Sequence, residues 1–281
     1  MKKQQFLLIG VSILFIILIL AFGNFIPPKQ AAVQPPNTAT ASIAFTTQDV
    51  LEAAKSKLSP ERQERITNLE NNVVRGDVKG EQIKTYKLLE KFWTDSIHNI
   101  PLGTHYNGEI AKLENSEQSL TFAARKLLSF VMSEQSKPLQ AWMANDAKEL
   151  FEQALKINPA DDSAQVGLGG CYMFGNISDN PMQEILKVRA IAEKNPDNLY
   201  AQMMLGLGGM QSGQYENAIK RFLVVVNKQP DNLDAALDLA DAYDRIQDKP
   251  NAIKWYKVVK EKIPSNEAKT EIAKHIEELE N

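Results

Sequence analysis

Cysteine and histidine are both scarce in this chain of 281 residues. Cys171 is the single cysteine, so the chain can form no intramolecular disulfide and no cysteine-based metal cluster. The histidines, His98, His105 and His275, are scattered, and none has a second histidine or a carboxylate at the spacing of a metal site. The sequence therefore predicts that the protein works without a metal ion and without a cofactor.

An excess of basic residues, a β-strand pattern and a catalytic motif are missing as well. The formal net charge is -3, whereas a nucleic-acid-binding surface is normally basic. No segment alternates apolar and polar residues between hairpin turns, as half-buried strands do. No nucleophile is accompanied by a base in a recognisable arrangement, so we expect a protein that is not an enzyme. Together these absences indicate an all-α protein that acts through its surface.

An uncharged apolar run, residues 6–23, follows Lys2 and Lys3 near the start of the chain. Its length favours a transmembrane helix, and the two lysines favour a cytoplasmic N-terminus. A cleaved signal peptide is the alternative, since Ala21-Phe22-Gly23 loosely matches a cleavage site, although such peptides have a shorter apolar region. We expect residues 1–23 to form a cytoplasmic stub and a helix that contacts the lipid bilayer. In a bacterium this predicts a single-pass inner-membrane protein with its bulk in the periplasm.

Three segments follow the apolar run. Residues 24–45 contain four prolines among Gln, Ala and Thr, a composition typical of a flexible linker. Residues 46–135 show helical periodicity without a clean repeat, and degenerate copies of the downstream unit are one interpretation. Residues 136–281 carry the clearest pattern. Within the second segment the pattern predicts helices over residues 59–75, 80–98, 107–115 and 119–133, with a break at residues 101–103.

Four prolines recur in the last segment, at spacings of 37, 34 and 34 residues: Pro159, Pro196, Pro230 and Pro264. Each follows a lysine by two or three residues and precedes an Asp or Asn by two. Lysine is favoured at the end of a helix, proline cannot continue that helix, and the short polar residue caps the next one. A period near 34 residues predicts a stack of helix pairs, in which no pair buries its apolar face alone.

The last two units, residues 199–232 and 233–266, match position by position. Leu205-Gly206 corresponds to Leu239-Ala240, Ala218 to Ala252, and Phe222 to Tyr256. This pattern resembles the tetratricopeptide repeat (TPR), although Gly209 stands where an aromatic residue is usual. An earlier unit starts near Asp162 and needs three extra residues within 175–183. The resemblance implies an all-α, TPR-type helical-hairpin solenoid, closed by a capping helix at residues 267–279.

In this family the first helix of each pair lines a peptide-binding groove. The resemblance therefore implies a groove formed by Val166, Gly170, Met173 and Phe174 of one unit, Tyr200, Met203, Leu207, Met210 and Gln211 of the next, and Asp234, Leu237, Asp241, Asp244 and Arg245 of the last. The middle is rich in methionine, which adapts to different apolar ligands. We expect an apolar peptide or helix whose basic residues lie against the acidic end. The alternative is that the methionines pack within the stack.

The layout of anchor, linker and repeats resembles that of bacterial TPR proteins held to a membrane outside the cytoplasm. This resemblance implies a scaffold for protein–protein interaction that assists the assembly or folding of envelope proteins. A membrane tether raises the effective concentration of such a scaffold near membrane-bound partners. A structural subunit of a stable envelope complex is the second interpretation. Both predict one or more protein partners and no nucleic acid.

Overall fold

The computed structural model describes residues 45–75, 78–178 and 180–281. Within these ranges every regular element is helical, which confirms the predicted all-α class. None of the helices in the described ranges combines the length and apolarity needed to cross a bilayer. The predicted membrane segment, residues 1–23, and residues 24–44 of the predicted linker lie outside the described residues.

The first part of the described chain folds into α-helices and one π-helical turn, Phe92–Ser96. The helices are α1 (Thr47–Lys55), α2 (Pro60–Arg75), α3 (Lys79–Lys91), α4 (Ile100–Glu114), α5 (Glu117–Ser133) and α6 (Lys137–Ile157). A capping box of Thr46 and Asp49 starts α1. The indole N–H of Trp142 donates to the Thr47 hydroxyl at 3.1 Å, which links α1 to α6.

The start of α4 differs from the sequence prediction. The predicted break at residues 101–103 is wrong, because α4 begins at Ile100 and carries Pro101 in its first turn. The Asn99 side chain accepts from the backbone N–H of Leu102 at 3.2 Å, and proline is tolerated there because its missing N–H would have no partner within the helix. Pro138 likewise lies in the first turn of α6. Both prolines therefore mark helix starts.

From residue 162 the helices come in pairs. The first helices are α7 (Asp162–Phe174), α9 (Leu199–Gln211) and α11 (Leu233–Arg245); the second helices are α8 (Met182–Lys194), α10 (Tyr215–Lys228) and α12 (Lys249–Lys262); α13 (Asn266–Glu280) follows. Ile276 of α13 is buried against α11 and α12, as expected for a capping helix. The extra residues of the first pair extend the loop between α7 and α8, where the sequence placed them.

The predicted caps start the first helices of the units and the capping helix. Side-chain oxygens of Asp161, Asn198 and Asn232 each accept from a backbone N–H two or three residues ahead, at 2.8 to 3.1 Å. The fourth cap is Ser265, one residue earlier than predicted. Each cap satisfies an N–H group that has no partner within its helix, so the polar residue after each proline starts the next helix.

Close helix contacts depend on the paired small and aromatic positions of the repeat. Phe222 of α10 is completely buried, and its ring lies against Gly206 of α9. A Cβ atom on Gly206 would fall 2.4 Å from Phe222 Cε1, so this position admits no side chain without a shift. One unit later, the buried Tyr256 donates its hydroxyl hydrogen to Asp241 of α11. In both units the aromatic residue of the second helix therefore contacts the first helix of the same pair.

Candidate functional site

The predicted groove residues of α9 lie along one helical face. Met203, Leu207 and Met210 recur at three- and four-residue steps, so they project from the same side of the helix. All three are half-buried and pack against the apolar core of α10, α11 and α12. Their remaining exposed area is apolar, and it adjoins the half-buried Leu237 of α11 within the same cluster. This face of α9 therefore packs against the core and also leaves apolar surface exposed.

Tyr200, at the start of α9, connects this face to α5. The guanidinium carbon of Arg125 lies 4.3 Å from the centroid of the Tyr200 ring. A cation at this distance is attracted to the electron-rich face of an aromatic ring. Burial raises the pKa of the Tyr200 hydroxyl, so the ring stays neutral beside the cation. The sequence prediction included Tyr200 but missed Arg125, because no repeat pattern connects α5 with α9.

The α7 portion of the predicted groove is largely buried. Val166 is completely buried, Gly170 is buried, and Phe174 is only 7% exposed. Val166 and Phe174 belong to the core that helices α1 to α9 share. Met173 is half-buried and is the residue of this group with surface left for a ligand. Sequence position alone placed these residues on the groove face, but the neighbouring helices cover most of that face.

The acidic end of the predicted groove lies on α11. Asp234 and Arg245 are exposed, while Asp241 accepts from Tyr256 and Asp244 lies 3.1 Å from His275 Nε2. Two of the three predicted carboxylates are therefore already bound within the chain.

A fourth carboxylate on α11, Asp238, was not predicted. It is half-buried between Asp234 and Asp241 in the sequence of the helix. Burial raises the pKa of Asp238 to about 7, and the charges of Asp241 and Asp234 act in the same direction. The acidic end of the groove is therefore less negative at neutral pH than its composition implies.

Two open cavities are lined mostly by residues that the groove prediction did not include. One has a volume of about 820 Å³ and is lined by α5 and the start of α7, including Phe122 and Arg125. Phe122 is 66% exposed. A signal existed in the sequence, because Phe122 falls outside the buried stripe of α5 formed by Leu120, Ala124 and Leu127. Its position off the core-facing stripe therefore predicts an exposed aromatic side chain.

The larger cavity, about 870 Å³, lies between α8, α9 and α10. Of the predicted groove residues, Met173 and Gln211 line it. Its other walls include Ile185, Arg189 and Leu205. Gly209 is the sequence feature that could have indicated this cavity. It lines the cavity and stands where the repeat usually has an aromatic residue.

Two observations concern potential metal ligands and the cysteine among the described residues. Within those ranges, no three His, Cys, Asp or Glu side chains come together in a way that could hold a metal ion. Cys171 is completely buried, and burial raises the pKa of its thiol. A protonated, inaccessible thiol is a poor nucleophile, so Cys171 acts as a small core residue.

The repeat region of the chain matches a known family model. Residues 203–267 match the family model described as tetratricopeptide repeat. The comparison with curated proteins found no match. Among solved structures, the chain is similar to YrrB, described as a TPR protein with an unusual peptide-binding site, at 15% identity and a TM-score of 0.41, covering 68% of this chain and 91% of that one.

Two further structures have similar scores. MamA from Desulfovibrio magneticus RS-1, from residue 41 to its end, is 20% identical with a TM-score of 0.40, and the match covers 66% of this chain and 95% of that chain. A tetratricopeptide repeat protein from Parabacteroides merdae ATCC 43184 is 15% identical with a TM-score of 0.39, and the match covers 79% of this chain and 90% of that chain.

Proposed function

We propose that this chain, whose residues 203–267 match the tetratricopeptide-repeat model, is a scaffold that binds other proteins through the first helices of its repeats. The supporting observation is the apolar face of α9, where Met203, Leu207 and Met210 are half-buried and keep part of their surface accessible. Methionine side chains adjust their rotamers to apolar groups of different shape, which suits a groove that receives peptide segments.

The proposed ligand is an apolar peptide or helix with a basic residue at one end. Its apolar side chains contact the α9 face, and its basic residue lies near α11. Asp234 is the exposed carboxylate available there, whereas Asp241 and Asp244 already bind Tyr256 and His275. An exposed ion pair is worth roughly 0.2 to 1 kcal/mol, so the apolar contacts supply most of the affinity in this proposal.

We also propose that residues 6–23 anchor the scaffold in the inner membrane, with the N-terminus cytoplasmic and the repeats in the periplasm. Support comes from the length of the apolar run and from Lys2 and Lys3. Alkaline extraction of membranes and the intact mass of the purified chain test this proposal. An extraction-resistant product of 31.4 kDa is expected. A smaller soluble product that lacks these residues would instead identify a cleaved signal peptide.

The groove is tested by changing Met203 and Met210 to aspartate together. Crosslinking in intact cells followed by mass spectrometry should then recover far less of the partners captured by the unchanged chain. Leu186→Asp is the matched control, because Leu186 is 49% exposed on α8 and is not a groove residue. Circular dichroism checks that each variant is folded. Undiminished capture by a folded double variant would exclude the groove as the binding surface.

The same capture experiment distinguishes two roles. Transient crosslinks to many envelope proteins would support a role in their assembly or folding. A single partner that stays bound in high salt after mild detergent extraction would identify a structural subunit of a stable envelope complex. Both outcomes retain the proposed scaffold and differ in the lifetime of the complex.

A further inference from the structure

We propose that the cavity between α8, α9 and α10 is a second protein-binding site, which takes an acidic segment of a partner that also carries apolar side chains. This cavity, about 870 Å³ in volume, falls within the usual size range of ligand sites. It shares Met173 and Gln211 with the predicted groove, but it lies away from the apolar face of α9. At roughly 100° per residue, Leu205 and Gly209 project from the side of α9 opposite Met203 and Leu207.

A comparison within the chain explains why the cavity exists. The corresponding positions of the next unit lie 34 residues later, so Gly209 corresponds to Tyr243 and Arg221 to Trp255. Tyr243 and Trp255 are half-buried and pack against the cores formed by α10 to α13. The cavity lies where a glycine and an arginine replace these two aromatic side chains. The space is therefore specific to this unit and not a general property of the stack.

The walls of the cavity are more basic than those of its counterpart. Arg189, Lys220 and Arg221 line it, and Glu193 is the one carboxylate among its lining residues. Arg189 corresponds to Leu223 in the next unit, so a cation again stands where the neighbouring unit has an apolar residue. Arg189 and Lys220 are exposed and form no ion pair with any described residue. These cations are available to a ligand, and the local charge balance favours an anion.

One of the cations is held in place by a buried amide. Gln202 is only 2% exposed, and its side-chain oxygen accepts from Arg221 Nη1 at 3.0 Å. The amide nitrogen of Gln202 donates in turn to the backbone oxygen of Pro196, also at 3.0 Å. This chain of hydrogen bonds fixes the guanidinium before any ligand arrives. Pre-positioned donors lower the entropic cost of binding, and arginine suits carboxylates because of its planar donor geometry.

Apolar surface lies beside these cations. Met173, Met182, Ile185 and Leu205 line the same cavity, and Met182 is 53% exposed. The cations come from two helices, α8 and α10, and the apolar groups come from α7, α8 and α9. A peptide that carries both carboxylates and apolar side chains matches this distribution, because its carboxylates can contact the cations while its apolar side chains contact the apolar wall. The open rim at Met182 also favours a segment of chain that continues beyond the cavity.

Binding is tested with the full chain by fluorescence anisotropy. The probe is a labelled amphipathic peptide of about 15 residues, long enough for several helical turns, with leucines on one face and glutamates beside them. A second probe carries lysine in place of each glutamate. Because the basic probe also resembles the proposed groove ligand, both probes are measured with the full-length Met203→Asp/Met210→Asp chain, in which the groove is disabled. In this chain we expect the acidic probe to bind at least about tenfold more tightly than the basic one, and its affinity to fall with added salt.

Lys220→Glu provides the first variant, and Lys254→Glu is its matched control, at the same position one unit later. Both side chains are exposed and both changes alter the net charge equally. Lys220→Glu should lower the affinity for the acidic probe by about three- to tenfold, because the substitution replaces a charge attraction with a charge repulsion. Lys254→Glu should change the affinity by less than about twofold at this distance from the cavity.

Gly209→Tyr tests the shape of the cavity by restoring the aromatic residue of the next unit. It should reduce binding of the acidic probe at least about tenfold. Because a Cβ on Gly209 would lie 3.1 Å from Ala218 Cβ, Met182→Asp is a second test at an exposed position that needs no repacking. Leu186→Asp should leave binding of this probe unchanged, because Leu186 is exposed on α8 and does not line the cavity. Use of the groove-disabled chain separates failure here from failure of the proposed groove.

Three results would overturn the proposal. The first is equal binding of the acidic and basic probes. The second is a folded Lys220→Glu or Met182→Asp variant with unchanged affinity for the acidic probe. The third is binding of dodecanoate without binding of the peptide, which would assign the cavity to a small amphiphile and not to a protein segment.

Discussion

Phe222→Ala is expected to lower the free energy of unfolding by about 3 to 5 kcal/mol. The side chain is completely buried and belongs to the core of α10, α11 and α12. Its ring lies directly against Gly206, which has no side chain that could move into the vacated space. The cost of such a substitution rises with the volume that stays empty, so we expect the upper part of this range.

Phe122→Ala is the matched control, because it removes the same atoms from a side chain that is 66% exposed. A surface change of this kind should shift the free energy of unfolding by no more than about 0.5 kcal/mol. Urea unfolding followed by circular dichroism measures both variants. Hydrogen exchange should locate the loss in α9 to α12, since stability in a helical stack is carried by neighbouring units.

A loss below about 1 kcal/mol for Phe222→Ala would refute this account of the packing, because typical buried aromatic truncations cost several times more. An equal loss for Phe122→Ala would also contradict it, since burial would then not explain the difference. A change confined to helices α1 to α6 would show that the repeat pairs do not share a core in the way the structure indicates.

Three further predictions concern titratable groups. Burial opposes the charge on His105, but the hydrogen bond to Asp146, at 2.8 Å, and the carboxylate charge raise its pKa. The resulting stabilisation should be present below about pH 6.5 and be lost as the pH rises through the higher folded-state pKa, and Asp146→Asn should flatten this slope in urea unfolding. The pKa of Asp238 is about 7 in the folded protein and about 4 in the unfolded chain, so the free energy of unfolding should fall as the pH rises from about 4 to about 7. Asp238→Asn should recover at most about 4 kcal/mol at pH 8, measured the same way. Cys171 should react with a thiol reagent at pH 8 only after unfolding, as absorbance of the released product would show.

Much of the repeat region could be predicted from the sequence. Caps, helix ends and the small and aromatic positions recur every 34 residues, and each depends on residues close together in the chain. Pro101 in the earlier region was harder to interpret. It fits either a break or a first turn, and the choice depends on whether a helix starts immediately before it.

The candidate sites could be predicted only in part. The resemblance to the repeat family placed Met203, Leu207 and Met210 in the groove, and their three- and four-residue spacing keeps them on one face of α9. The same resemblance placed Val166 and Phe174 in the groove, although the surrounding helices bury both. No local pattern shows how closely one first helix approaches the next, so exposure along the groove could not be predicted residue by residue.

The sequence by itself determined the helical class, the period and the helix pairs, because these follow from interactions among residues a few positions apart. The tertiary structure alone decided that Arg189 of α8 and Arg221 of α10 would line one cavity beside Gly209. That arrangement depends on the distances between three helices. Those distances are set by how the complete faces of the helices pack against one another. A missing aromatic side chain then leaves a cavity, and arginines from two separate helices line it.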